Sequence, residues 1–520
     1  MNGAHLLVHT LLDAGVDTCF TNPGTSEMHF VAALDQVPGM RCVLGLFEGV
    51  VTGAADGYFR MSGRPASTLL HLGPGLANGL ANLHNAKKAG SGIVNIVGDH
   101  ATAHLALDAP LTSDIAGVAA PMSHWVRAGT TVEGLAVDGR EAVVQARARP
   151  GRIATLTLPA DLAWGDAATP APALGPVARA EAAALDDAAV QAAAQALRAD
   201  GAGTLLLLGG EALREAATNW AGRVSAATGC AVMSEFYGAR LERGAGRVAT
   251  PRVPYAVEPA LAALAPFRHI VLVGAREPVA FFAYPGKPGR LAAPGTRFTV
   301  LATPQHDAAQ ALEALADAVG ARQARLPVVE RASAEVPDGE GALTPATLGE
   351  LLAALLPEQA IVVDEGVSTG RGFDRATRGA APHDWLTGMG GSIGFGLPAA
   401  LGAAVAAPGR KVIALTGDGS AMYTLQALWT MAREGLDVTV VVFANRAYQI
   451  LRGEFAGVGA GAPGPRATDM LTLDRPDLDW LALARGMGVQ ATRAATVGTF
   501  VPAWGRAMAQ RGPVLIEAVV

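Results

Sequence analysis

Short apolar runs, many of them β-branched, recur along this chain, and each is followed by a longer Ala/Leu-rich stretch with helical spacing. TCFTNPG, STLLHLG, GIVNIVGDH and RIATLTLPA come first; GTLLLLGG, GCAVMSE, HIVLVGA and RFTVLAT follow; AIVVDEG, KVIALTGDG, VTVVVFANR and VLIEAVV come last. A strand that is apolar on both faces belongs in a sheet covered on both sides. Helices crossing between parallel strands supply that cover. The pattern predicts an α/β protein of three domains, each a doubly wound parallel sheet. Two stretches interrupt it: residues 166–185, rich in Ala and Pro, and residues 322–343, which mix charge, Pro and Gly. They set off blocks 1–165, 186–322 and 343–520, each of ordinary domain size. In such sheets ligands bind beyond the carboxyl ends of the strands, which is where functional residues are sought.

Composition narrows the function classes. Half of the residues are hydrophobic and 17% are charged, a balance that supports large cores rather than disorder. The net charge is −6 and no Lys/Arg stripe is present, so nucleic acid is not the expected partner. Cys19, Cys42 and Cys230 are odd in number and lack CxxC spacing. Neither a disulfide framework nor a zinc site is expected, and a reducing cytoplasm fits. The first residues, MNGAHLLVHTLLDAGV, read as an amphipathic helix without the basic start of a secretion signal. Apolar stretches are broken by Pro or charge, so no membrane span is expected.

The sharpest local signal runs from Lys411 to Gln449. A strand leads into Gly417-Asp418-Gly419-Ser420, a helix runs to a stop at Gly435, and a second strand over 438–443 ends at Ala444-Asn445. Asp418 and Asn445 are 27 positions apart (445 − 418). That distance is one strand, one crossover helix and the next parallel strand, so both side chains emerge at the same sheet edge. Mg²⁺ prefers hard oxygen ligands in octahedral array and shares them with phosphate. A carboxylate, an amide oxygen and a backbone carbonyl would suit it. The glycines allow close approach of a diphosphate, and the following helix would offer free N–H groups.

This segment resembles the cofactor motif of the thiamine-diphosphate (ThDP) enzyme family, which runs from GDG to a pair of asparagines. Ala444 replaces the first asparagine. The resemblance implies ThDP and Mg²⁺ as cofactors, with Asp418, Asn445 and the Ala447 carbonyl as metal ligands. Gly417, Gly419 and Ser420 would lie against the diphosphate, together with Val367 and Ser368 in the turn after AIVVDEG. In TGMGGSIGFGLPAALGAAVA, Gly391 would accept the 4′-amino group and Ile393 would wedge between the two cofactor rings. LFEGVVTGAADGYFRMSGRP resembles the family's glutamate helix, with Glu48 activating the aminopyrimidine. Phe47, Val50, Val51, Ala54 and Tyr58 give that segment helical periodicity. A carboxyl among them would be poorly solvated.

The N-terminal details are similar to the benzoylformate decarboxylase branch. Asn22-Pro23-Gly24-Thr25 matches its NPG segment, with Thr25 in place of a serine that contacts the substrate carboxylate. His71, at a strand's carboxyl end, matches a proton-transferring histidine, a residue type suited to that task. His100, near His104, and Phe281 and Phe282 are further pocket candidates; the last two, with Tyr284, stand where that branch carries a second histidine. The resemblance implies a 2-oxo acid decarboxylase or carboligase acting through a thiazolium-stabilised enamine. It also implies a homodimer or homotetramer with active sites between subunits. Three alternatives stay open: an acetolactate synthase-type transferase, a flavin or nicotinamide oxidoreductase built on the middle block, and a non-catalytic ThDP-binding relative.

Overall fold

In the computed structural model all twelve of the apolar runs form strands. The structure describes every residue of the chain except 171, 333–334 and 337–338, which fall within the two linker stretches. The first sheet contains β1 (Thr18–Asn22), β2 (Arg41–Leu44), β3 (Ala66–Leu70), β4 (Ile93–Asp99), β5 (Trp125–Ala128) and β6 (Ile153–Pro159). They are parallel and ordered β2-β1-β3-β4-β6-β5. The next strands are β7 (Thr204–Leu208), β8 (Ala231–Ser234), β9 (Leu241–Arg243), β10 (His269–Val273) and β11 (Arg297–Ala302). Four of them make a parallel sheet ordered β11-β10-β7-β8, while β9 leaves for the edge of the third sheet. That sheet comprises β12 (Ile361–Glu365), β13 (His383–Thr387), β14 (Val412–Gly417), β15 (Val438–Ala444), β16 (Gln490–Ala494) and β17 (Val514–Val519). Its order is β16-β17-β15-β14-β12-β13-β9, parallel except for β9 against β13.

The protein is therefore three α/β domains. The sequence pattern missed five strands, for a physical reason. β2 and β5 are sheet edges with half-exposed faces, and β16 is an edge that alternates with solvent. β9 is a three-residue edge, and β13 carries His383 and Asp384 in its interior. None shows the continuous apolar character of a central parallel strand.

The cores are shared. One cluster runs from Leu206 and Leu208 of the second sheet through Val362 and Trp385 of the third. Another joins Phe20 of the first and Val51 of the helix Glu48–Ser62 to Ile361 of the third and Phe395 beside it. Helix Glu48–Ser62 crosses helix Gly396–Ala406 at backbone distance. A Cβ at Gly57 would run into the Ala399 carbonyl, and one at Gly402 into that of Ala54. Arg60, on the same helix, pairs with Asp56 in a fully buried ion pair. Arg60 also donates to Thr387 O (2.6 Å) and Ala239 O (3.3 Å), and it lies 4.6 Å over the Phe395 ring. A buried charge is tolerated when its donors are all occupied in this way.

Candidate cofactor site

At the carboxyl edge of the first sheet, β1 and β3 lie side by side with Asn22 opposite Leu70. The NPG segment and His71 therefore emerge together. Glu27 joins them. Its Oε2 accepts the Gly24 N–H (2.7 Å) and lies 2.8 Å from His71 Nδ1. The Glu27 side chain is fully buried and its Oε1 has no partner. Two glycines make room: a Cβ at Gly24 would collide with the His71 ring, and one at Gly98 with the Glu27 carboxylate. With Nδ1 donating to the carboxylate, Nε2 is left to face the cleft. Thr25 is exposed beside them. Asn22 is half-buried; its amide donates to Gly45 O (2.8 Å) and ties the end of β1 to the end of β2.

Glu48 opens helix Glu48–Ser62 and is buried. Its Oε2 accepts from Asn78 Nδ2 (3.0 Å). Asn78 begins a ladder on helix Leu72–Ala89. Asn82 donates to Gly49 O (2.8 Å) and Gly394 O (3.2 Å), and Asn85 donates to Ser392 O (2.9 Å). Positions i, i+4 and i+7 lie on one helix face, so this face stitches the glutamate helix to the loop carrying Gly391 and Ile393. Neither the ladder nor Glu27 was singled out by the sequence reading. The Asn-x3-Asn-x2-Asn spacing along one face of that helix was the available signal.

The third sheet presents its own edge. Asp418 is buried at the end of β14. Its Oδ2 accepts the Arg446 N–H (2.6 Å) and its Oδ1 the Gly419 N–H (2.8 Å), while Asn445 Oδ1 accepts the Ala447 N–H (3.0 Å). Burial raises the Asp418 carboxyl above its ordinary value despite these donors. Asp418, Asn445 and Ala447 are thus adjacent, and a carboxylate can accept further bonds. The donors are hard oxygens, and among the described residues no three His, Cys, Asp or Glu side chains gather into a metal site. This set fits a hard cation shared with phosphate better than a soft metal. A ring fills the space over Gly419, where a Cβ would lie 2.5 Å from Tyr448. The expected single crossover helix is broken: it spans Asp418–Ala421, turns, and resumes at Ala427–Arg433. Ser420 is therefore inside the first short helix, not ahead of it. Gly435 does stop the second at φ +60°.

Gly391 has φ +72°, and a Cβ there would stand 2.8 Å from Phe281 Cζ. Phe281 and Phe282 are substantially exposed, and they edge a panel with Tyr237 and Tyr255. Val367 and Ser368 form the turn after β12. Val367 has φ +38°, Leu72 beside His71 has φ +46°, and Arg446 between Asn445 and Ala447 has φ +56°. Non-glycine residues rarely adopt this region, at about 1–3 kcal/mol each, and they concentrate at functional turns. The His100 and His104 rings lie tilted to one another at 5.4 Å between centroids, and His100 Nε2 is buried without a partner among the described residues.

Comparison with known proteins decides the family. The family descriptions "Thiamine pyrophosphate enzyme, N-terminal TPP binding domain" and "C-terminal TPP binding domain" match residues 1–118 and 369–518. A Mycobacterium tuberculosis protein provisionally named acetolactate synthase large subunit IlvX is 52% identical over 100% of this chain and 99% of its own length. The chain belongs to the thiamine-diphosphate enzyme family. Benzoylformate decarboxylase of Pseudomonas aeruginosa is 32% identical over 97% of this chain and 96% of its own. The solved ThDP-dependent 4-hydroxybenzoylformate decarboxylase of Rhodococcus jostii superposes with a TM-score of 0.87 at 27% identity, over 100% of this chain and 99% of that one. This ThDP-dependent enzyme is thus of the lyase or carboligase kind. No helix among the described residues is long and apolar enough to cross a membrane.

Proposed function

We propose that this chain is a Mg²⁺- and ThDP-dependent decarboxylase of 2-oxo acids, related to benzoylformate decarboxylase. The observation that carries this reading is the Glu27–His71 pair beside Thr25. ThDP, when bound, supplies the electron sink for loss of CO₂. What remains for the protein is to receive a carboxylate and return a proton. His71, oriented through Nδ1 by Glu27, has Nε2 free for that proton transfer. Thr25 meets the substrate carboxylate. Glu48, buried and held by Asn78, would serve the cofactor's aminopyrimidine as its proton partner. Asp418, Asn445 and the Ala447 carbonyl hold Mg²⁺. Gly417, Gly419, Ser420, Val367 and Ser368 receive the diphosphate, Gly391 and Ile393 form the floor under the rings, and Phe281 and Phe282 line the entrance.

We further infer that blocks 1–165, 186–322 and 343–520 serve as pyrimidine-binding, central and diphosphate-binding domains of a cytoplasmic homodimer or homotetramer. The exposed Leu105, Leu107 and Leu111, beside His100 and His104, support an interface there. The relative named as an acetolactate synthase favours a second reading, carboligation of two 2-oxo acids. A flavin or nicotinamide oxidoreductase is disfavoured by the middle sheet, whose switch point carries a half-buried carboxylate, Glu235. An inactive relative is disfavoured by the retained Glu48, Asp418 and Asn445.

The test is titration of metal-stripped protein with ThDP and Mg²⁺, with CO₂ and product followed for a panel of 2-oxo acids. Mg²⁺-dependent binding with an aldehyde product is expected. A hydroxy-keto acid as the main product would move the assignment to the carboligase reading, and no binding would overturn both.

A further inference from the structure

Glu365 is a buried acid at the end of β12 for which the proposed chemistry has no use. It is 7% exposed. Its Oε1 accepts the Phe395 N–H at 2.7 Å, and its Oε2 accepts the Thr416 hydroxyl at 3.1 Å. The Gly394 and Gly396 N–H groups also face it. Helix Gly396–Ala406 starts here, and its N-cap residue, Phe395, has no side-chain oxygen to satisfy the free N–H groups of the first turn. Glu365 supplies that acceptor from another strand. Gly396 allows the approach, since a Cβ there would stand 3.0 Å from the Glu365 side chain.

The two partners belong to different halves of the cofactor site. Phe395 closes the floor loop that carries Gly391 and Ile393. Thr416 is the β14 residue two positions before Asp418. The loop's other side-chain ties, from Asn82, His84 and Asn85 and from Thr424, reach helix Leu72–Ala89 and the turn after Ala421 rather than the strand that leads into Asp418.

We propose that Glu365 is a positioning residue that fixes the ring-floor loop to the metal-bearing strand, so that both halves of the cofactor meet one preset frame. This rests on the ThDP reading above. The acceptor oxygen is what matters, because the donors opposite it are N–H groups and a hydroxyl that can reverse. An amide therefore suffices and an alkyl group does not.

The experiment compares Glu365→Leu, Glu365→Gln and Thr416→Val in the full chain. ThDP affinity at saturating Mg²⁺, the near-ultraviolet circular dichroism of the bound cofactor and hydrogen exchange over residues 388–396 without cofactor are measured. Loss of a buried charge-assisted bond predicts about tenfold or greater weakening for Glu365→Leu, with a changed cofactor spectrum and faster exchange. Glu365→Gln is expected within about threefold of the parent, and Thr416→Val between the two. Thermal melting checks folding; should Glu365→Leu fail to fold, Thr416→Val carries the test. A parent that binds ThDP, with Glu365→Leu or Thr416→Val matching it in affinity, spectrum and exchange, overturns the proposal alone. A parent that binds no ThDP overturns the cofactor reading and this proposal with it.

Discussion

The second and third sheets are built on the same plan, yet their carboxyl edges differ in kind. At the third, the turns after β14 and β15 leave a carboxylate and an amide oxygen side by side, held by backbone N–H groups. At the second, a carboxylate stands in the crevice between β7 and β10. Glu235 crosses from the end of β8, accepts the Arg276 N–H at 2.8 Å and occupies the space a Cβ at Gly209 would need. Burial lifts its carboxyl to about 7. An anionic diphosphate would meet a carboxylate there instead of free N–H groups. The difference teaches that a doubly wound sheet offers a place for a ligand, while the side chains of two or three turns decide whether it is a site.

Three measurements would break or sharpen this contrast. The largest effect is expected at the open edge. Asp418→Ala removes the carboxylate assigned to the metal and should weaken Mg²⁺-dependent ThDP binding about a hundredfold or more, read by calorimetry. Retained binding would put the cofactor elsewhere. The first sheet provides an intermediate effect. Glu27→Gln leaves the shape but loses the charge that orients His71. A fall in kcat of about tenfold to a hundredfold with unchanged ThDP affinity is expected, whereas loss of affinity alone would make Glu27 a scaffold residue. The smallest effect belongs to the second sheet's edge, where Glu235→Gln should leave cofactor affinity unchanged. Glu235 has a folded pKa of about 7 against 4.5 for an ordinary glutamate. Its stabilisation is therefore complete below about pH 4.5 and lost as pH rises through about 7, at most about 3 kcal/mol. Urea unfolding at pH 5 and pH 8 should show less pH dependence in Glu235→Gln than in the parent; an identical slope would show that this carboxyl ionises freely.

What was legible in the sequence follows the same line. Central strands were visible because burial on both faces forces a continuous apolar run. The edges β2, β5 and β16 were not, because half of each meets solvent. The spacing from Asp418 to Asn445 could be read because one strand–crossover–strand unit fixes it locally. Glu27, Glu235 and Glu365 could not, because each gains its partner from a strand or turn distant in sequence: His71, Arg276, Phe395. Asn22 shows the converse. It lies in a segment that resembles a pocket, yet its amide is engaged with Gly45. The break in the crossover helix after Ala421 was also hidden, since Met422 to Gln426 carry no Pro or Gly to mark it.

The apolar clusters that pass from the third sheet into each of the other two limit how this protein can be dissected. A fragment without the third domain would bare the faces that Ile361, Phe395 and Trp385 now cover, and the isolated third domain would lose the cover on the same residues. Neither piece has a closed hydrophobic surface of its own. The chain is therefore best regarded as a single heritable unit, in which recombination at either linker would exchange buried contacts as well as a domain.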